Sequence, residues 1–498
     1  MNKLVLFSFV ALTVSGLASA QEPLQPSDTL PAPKLISLEQ ALQIAVSENT
    51  SVKVADMEVE RSGYERKGTY SSLLPQVNGT ANYQRTIKKQ VMYMDFDMSS
   101  LGGGAGSGSE GSSGSGESGE SGESGASGGG LPSGGGIEVG RWNTWSAGVS
   151  ASMPLVNAQL WESIKVGAQS VELAVEKARS SRLETVNQVK QAYFSCLLAK
   201  EAFKVYKSVY ENALENLEQT QRKYNAQRAS DLDLARAKTT LANAIPNVYD
   251  AESSVVLSLW QLKAVMGVNL DENIDVSGSL SDYADTMLYD IKASEELSLD
   301  NNSTMRQLSI QAEQLASTVK MQQFAYLPSL ALSFSYSMNA MTNDFRFSEY
   351  KWSPYSYVGL SLQIPIFSGG KRYNDVRAAR VQSAELTVQR ENTERQLRIS
   401  IRQYLNKMET AMKSYSSAQS ALESATKAYD IAQRSYNVGR STLTDLNDAQ
   451  LALTQASLTL SQAVYNFVTA KASLEGTLGA DFIDEEGNVQ LNKTYNNE

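Results

Sequence analysis

The stretch RKYNAQRASDLDLARAK at residues 222–238 is written again as RSYNVGRSTLTDLNDAQ at 434–450. Tyr224, Asn225, Arg228, Asp233, Leu234 and Ala237 are matched by Tyr436, Asn437, Arg440, Asp445, Leu446 and Ala449 at a constant offset of 212 residues. A phrase kept at one offset marks an internal duplication, so the fold must be one that two similar halves build together. Beyond the phrase, apolar positions continue at Leu241, Ala244, Val248, Ala251, Val255, Leu259, Leu262 and Met266. The same offset gives Leu453, Ala456, Leu460, Ala463, Phe467, Lys471, Leu474 and Leu478, and only Lys471 breaks the match. Steps of mostly three and four give a period of about 3.5 residues, that of a coiled-coil seam. Pro246 is expected to bend the first of these helices without ending it.

Upstream of each seam, residues 159–222 and 372–434 contain hardly a helix breaker. At about 1.5 Å per residue each would run on the order of 95 Å, far more than a globular domain needs. Such helices bundle into a rod or tube, and the duplicated phrase is the turn at its far tip.

Before each long helix the period changes to two. Leu330, Leu332, Phe334, Tyr336 and Met338 alternate with serines 329, 333, 335 and 337, and Val358, Leu360, Leu362 and Ile364 alternate with Tyr357, Gly359, Ser361 and Gln363. The first half repeats this more weakly through Val77, Gly79, Ala81 and Tyr83, then Trp145, Ala147, Val149, Ala151 and Met153. The alternation suits a lipid-facing barrel strand or a half-buried soluble sheet. Two hairpins supply four strands, whereas the smallest common barrel has about eight. Open strand edges are not tolerated in lipid, so several chains would have to share one barrel, with the helices on one side and the hairpin loops on the other. One loop is swollen: residues 99–136 are nearly all Gly and Ser with Glu110, Glu117, Glu120 and Glu123, a composition that cannot bury a core and is expected to be disordered outside the barrel.

The first 20 residues have the parts of a secretory signal, with Lys3, an apolar run from Leu4 to Leu17 and Ala18-Ser19-Ala20 before Gln21. No later window holds the ~20 apolar residues of a spanning helix, so any membrane crossing is by strands. The sole cysteine, Cys196, lies in a helical run, reads as a buried thiol and offers no lipid-acceptor site after the signal. With no histidine in the chain, the commonest general base and metal ligand is missing. No nucleophile, metal cluster, cofactor motif or nucleotide-binding loop is visible, so an enzyme is not expected. A net charge of −10 argues against a nucleic-acid partner.

The ordered duplicate resembles the TolC outer-membrane factor family over nearly the whole mature chain. It consists of a helix ending in Leu74-Pro75 or Leu327-Pro328, a strand hairpin closing on Pro154 or Pro365, a very long helix, and a tip phrase Y-N followed by D-L. The resemblance implies a mainly α fold with a membrane β part, in which a duplicated long-helix coiled-coil barrel joins a shared 12-strand trimeric β-barrel. It implies an outer-membrane location with the helical part in the periplasm. The partners implied are a periplasmic adaptor (membrane fusion protein) and an inner-membrane pump, for efflux or type I secretion. The chain would divide into a signal (1–20), a first repeat (21–270), an equatorial linker (271–298), a second repeat (299–480) and a C-terminal tail (481–498).

At the tips, Ser230 with Asp233 and Thr442 with Asp445 both fit a capping box, which explains each acid structurally. The capping box leaves an asymmetry unexplained: where the second copy has Asp448 the first has Arg236, so only the second stacks two acids on one helix face. By resemblance, Asp445 and Asp448 would form an acidic ring at the periplasmic entrance. Asp233, Tyr436 and Arg440 would tie neighbouring helices in the closed state, with Asp233 the first candidate partner of Arg440. The lipid-facing positions would be Leu330, Leu332, Phe334, Tyr336, Val358, Leu360, Leu362 and Ile364. The rival reading is a periplasmic coiled-coil scaffold or adaptor that never enters the membrane.

Overall fold

A computed structural model of the chain describes residues 33–92, 137–288 and 298–479. The expected signal, the Gly/Ser tract 99–136 and the tail 481–498 lie outside the described residues, as does part of the linker. Two short elements open the described chain, β1 (Lys34–Ile36) and α1 (Leu38–Glu48), followed by α2 (Thr50–Ser71). The first hairpin comprises β2 (Gln76–Arg85), a small ribbon β3 (Gln90–Met92) and β4 (Ile137–Val139), and β5 (Asn143–Val156). It feeds α3 (Ala158–Asn225) and the returning α4 (Asp231–Met266). After β6 (Ile274–Val276) the plan repeats as α5 (Ser303–Phe324), β7 (Ser329–Thr342), β8 (Ser353–Gln363), α6 (Lys371–Asn437) and α7 (Leu443–Leu478). With 68 and 67 residues, α3 and α6 each run about 100 Å.

Each long helix packs against its returning partner, and α3 also packs on α7, which joins the two hairpins side by side. The expected seam is the buried one: Ala237, Ala244, Ala251, Leu262 and Met266 in α4, and Leu446, Ala456, Ala463, Phe467 and Leu474 in α7. Pro246 sits inside α4, which continues to Met266. Lys471 keeps the seam position despite its charge and is buried. Burial pushes its ammonium pKa down, opposed by the nearby Glu475 carboxylate and reinforced by Lys190. Lys190 is itself buried and bonds Glu475 at 3.0 Å, so a three-charge cluster stands between α3 and α7.

The main core lies where the four long helices meet α1 and the parallel β1–β6 ribbon, around the fully buried Tyr193, Phe194, Leu197 and Phe467. Each such side chain contributes about 1.5–3 kcal/mol. The Tyr193 hydroxyl donates to the Ser277 carbonyl at 2.6 Å. Cys196 is buried as expected, and desolvation raises its pKa to about 11, which keeps it a thiol.

This junction is also duplicated. The Asn49 side chain caps α2 and donates to the Val265 carbonyl at 2.6 Å, while Asn302 caps α5 and donates to the Thr477 carbonyl at 2.5 Å. The capped helices press onto Gly267 and Gly479, at φ 75° and 68°, where an added Cβ would lie 2.5 Å from the Glu48 oxygen and 2.0 Å from the Asn301 oxygen. Only glycine fits there.

The four long strands form one antiparallel sheet in the order β2-β5-β7-β8, of 10, 14, 14 and 11 residues. Tilted strands of about 9–11 residues cross a bilayer. All four connections to helices leave from one end of the sheet, and the hairpin connections lie at the other.

Candidate functional site

Two regions carry the sequence-derived candidates: the sheet and the helix tips. In the sheet, register decides which side chains share a face. Val77, Ala151, Phe334 and Val358 stand opposite one another across all four strands, and the next rung on the other face is Asn78, Ser150, Ser335 and Tyr357. Leu332 pairs with Leu360 and Leu330 with Leu362, while Tyr336 meets Ser356. Seven of the eight expected lipid-facing residues therefore lie within strands on one apolar face. Ile364 falls one residue beyond β8, which ends at Gln363 ahead of Pro365. The outer edges of β2 and β8 pair with no other strand among the described residues.

The tips are built by one device used twice. The amides of Gln227 and Arg228 donate to Tyr224 and Lys223 carbonyls at 2.8 and 2.7 Å, and those of Gly439 and Arg440 donate to Tyr436 and Ser435 carbonyls at 3.1 and 2.8 Å. This double closure requires a left-handed residue, supplied by Gly439 at φ 76° and, in the first copy, by Gln227 at φ 56°. Both expected capping boxes then start the returning helices, Ser230 with Asp233 and Thr442 with Asp445.

Asp445 accepts from the Thr442 amide at 2.9 Å, the Thr442 hydroxyl at 2.7 Å and the Ser441 hydroxyl at 3.1 Å, all through Oδ2. These bonds hold its carboxyl below the ordinary aspartate value, so it stays charged while exposed. Asp448 is exposed one turn further on, with no hydrogen bond or ion pair to any described residue.

Tyr436 is buried in a small core with Ala237, Tyr429, Leu443 and Leu446. Its hydroxyl lies 2.7 Å from Thr220 Oγ1 on α3, and Lys223 Nζ sits 4.0 Å from its ring centroid while donating to its carbonyl at 3.1 Å. It thus ties the two tips within one chain. Arg440 is exposed and makes no ion pair with Asp233, whose carboxylate is taken by Ser230. The counterpart of Asp448, Arg236, reaches Thr444 Oγ1 at 3.4 Å, and Asn447 reaches Thr240 Oγ1 at 3.2 Å. Sequence reasoning missed Thr220 and Lys223. The available signal was their departure from the repeat, where the second copy has Ala432 and Ser435.

No group of acids and cysteine among the described residues is arranged to hold a metal. No described helix is long and apolar enough to cross a membrane. The tips present exposed charge and pack helices tightly.

A family model described as outer membrane efflux protein matches residues 41–268 and 296–480. The outer membrane protein TolC of Escherichia coli is 21% identical over 360 residues, covering 70% of this chain and 72% of that protein. Among solved structures, the CmeC outer membrane channel of Campylobacter jejuni superposes with a TM-score of 0.64 at 18% identity, over 92% of this chain and 87% of CmeC. The open state of the MtrE outer membrane channel of Neisseria gonorrhoeae gives 0.62 at 18% identity, over 89% and 88%.

Proposed function

Because the chain belongs to the outer membrane efflux protein family, a family of outer-membrane channels rather than enzymes, we propose that three copies close one duct from the periplasm to the exterior. Their sheets would complete a 12-strand barrel and their helices a periplasmic tunnel. The observation that carries this is the apolar rung running in register across all four strands of a sheet left open at both edges. In lipid those edges must be paired, and β8 of one copy against β2 of the next pairs them. The eight apolar positions from Leu330 to Ile364 then meet lipid, and the polar rungs meet water.

The duct is passive. With no nucleotide-binding loop visible in the sequence, a periplasmic adaptor and an inner-membrane pump supply energy and choose the cargo. At the far end, Asp445 and Asp448 of three copies ring the entrance. Arg440, with no ion pair among the described residues, is placed to reach a neighbouring subunit in the closed state, with Tyr436 and Asp233 in the supporting tip.

Cysteines introduced along β2 and β8 of one chain test the assembly. Oxidation in outer membranes should yield a covalent ring of three chains. A chain recovered as monomer from detergent-free periplasm would instead establish the scaffold reading.

A further inference from the structure

The end of the sheet remote from the helices carries a folded rim. The connection between β7 and β8 bends back over the apolar face and buries Ala340 to 1% exposure. It is pinned by one carbonyl, that of Asp344, which accepts from Thr342 Oγ1 at 2.6 Å, Tyr350 OH at 2.9 Å and Asn143 Nδ2 at 3.2 Å. Phe347 packs 5.0 Å from Trp145 and Phe345 packs 6.3 Å from Tyr83, yet both phenylalanines remain more than half exposed. The rings so form a belt on the face that carries Leu332 and Phe334.

Charge lies just beyond this belt. Arg85, two residues along β2 from Tyr83 and so on the same face, sits 5.7 Å from the Phe345 ring. Arg346, Lys351, Lys88 and Arg141 are exposed around it. In the described rim segments 85–92, 137–143 and 343–352, six cations outnumber three acids, while residues 93–136, outside the described residues, add Asp95, Asp97 and four glutamates. Arg346 has Glu349 within 3.7 Å, and Arg85, Lys88, Arg141 and Lys351 carry no ion pair among the described residues.

We propose that this rim is a docking surface for the phosphate groups of an anionic phosphorylated lipid in the outer leaflet, with Arg85, Arg346 and Lys351 as its principal cations. The inference rests on the membrane-spanning reading of the sheet. An aromatic belt sets the depth of the headgroup zone, and cations immediately above it meet phosphate where screening by water is incomplete.

The test uses the full-length assembled protein, delipidated in detergent and titrated with lipid A, a bis-phosphorylated glycolipid, or with the same lipid stripped of phosphate. Native mass spectrometry counts lipids retained per assembly. The wild type should retain the phosphorylated lipid preferentially, and the triple variant Arg85→Gln, Arg346→Gln, Lys351→Gln should bind it at least about tenfold more weakly. The conservative variant Arg85→Lys, Arg346→Lys should retain most of the binding, which separates charge from damage to the loop. Equal retention of the two lipids by an assembled protein would overturn the proposal and leave the duct standing, whereas failure to assemble in membranes would strike the duct itself. Preferential binding that emerges only after deletion of 102–130 would also overturn it, because the glutamates of that tract would then be the cations' partner.

Discussion

The α3–α4 tip and the α6–α7 tip share a turn and a capping box, and they differ in everything that lies on those. In the first, Tyr224 is half-buried and its hydroxyl bonds the carboxylate of Asp231, which raises its pKa. In the second, the matching Tyr436 is buried against α3. The first turn puts Gln227 in the left-handed conformation, and the second uses Gly439. Arg236 leans across to α7, whereas Asp448 in the same place bonds none of the described residues. Duplication therefore supplied a scaffold that both halves need in order to fold. The divergence moved packing and uncompensated negative charge into the second tip.

The same comparison holds at the other end of the returning helices, where Leu259 and Lys263 of α4 correspond to the buried Lys471 and Glu475 of α7. The largest effect is expected here. Glu475→Gln removes the carboxylate that faces the buried Lys190 and Lys471 and should destabilise the protein by about 3–5 kcal/mol in chemical unfolding. Lys471→Leu, which restores the first-copy residue, should be neutral or stabilising by up to about 4 kcal/mol. A large loss from Lys471→Leu would mean that the charge cluster holds the helices in register.

Next in size is the tyrosine pair. Tyr436→Phe removes the bond to Thr220 and should cost about 0.5–1.5 kcal/mol, with faster amide exchange at both tips. Tyr224→Phe, at the more exposed tip, should change little. Equal effects would show that the two tips are energetically alike.

The smallest effect distinguishes the turns. Gln227→Gly relieves an L-residue in the left-handed region and should stabilise the first tip by up to about 1 kcal/mol, while Gly439→Gln should cost the second a similar amount. Thermal unfolding of the paired variants reads both.

Much of this was legible beforehand because repetition exposes it. The long helices, expected over 159–222 and 372–434, extend a few residues further at each tip, where the closing turns hold the last carbonyls. The strand faces followed from alternation alone, except at Ile364, where Pro365 removes the next backbone donor and the strand has already stopped. The tie between Tyr436 and Thr220 was hidden because it joins residues 216 apart on different helices, and no local period reports such a pair. Arg440 is a different case: only the resemblance suggests Asp233 as its partner, and within one chain that carboxylate accepts from Ser230.

The central claim is that the second tip carries the entrance charge and the first does not. Planar-bilayer recordings of the assembled channel, with a trivalent cation added on the periplasmic side, test it most directly. Asp445→Asn with Asp448→Asn keeps side-chain size and much of the capping capacity. It should sharply weaken both cation selectivity and trivalent block, because fields that add in a narrow mouth are removed together. Asp231→Asn with Asp233→Asn, which removes two acids from the first tip, should leave block close to the wild type. Unchanged block in the second-tip variant, or equal loss in both, would contradict the account and leave these acids as helix caps alone.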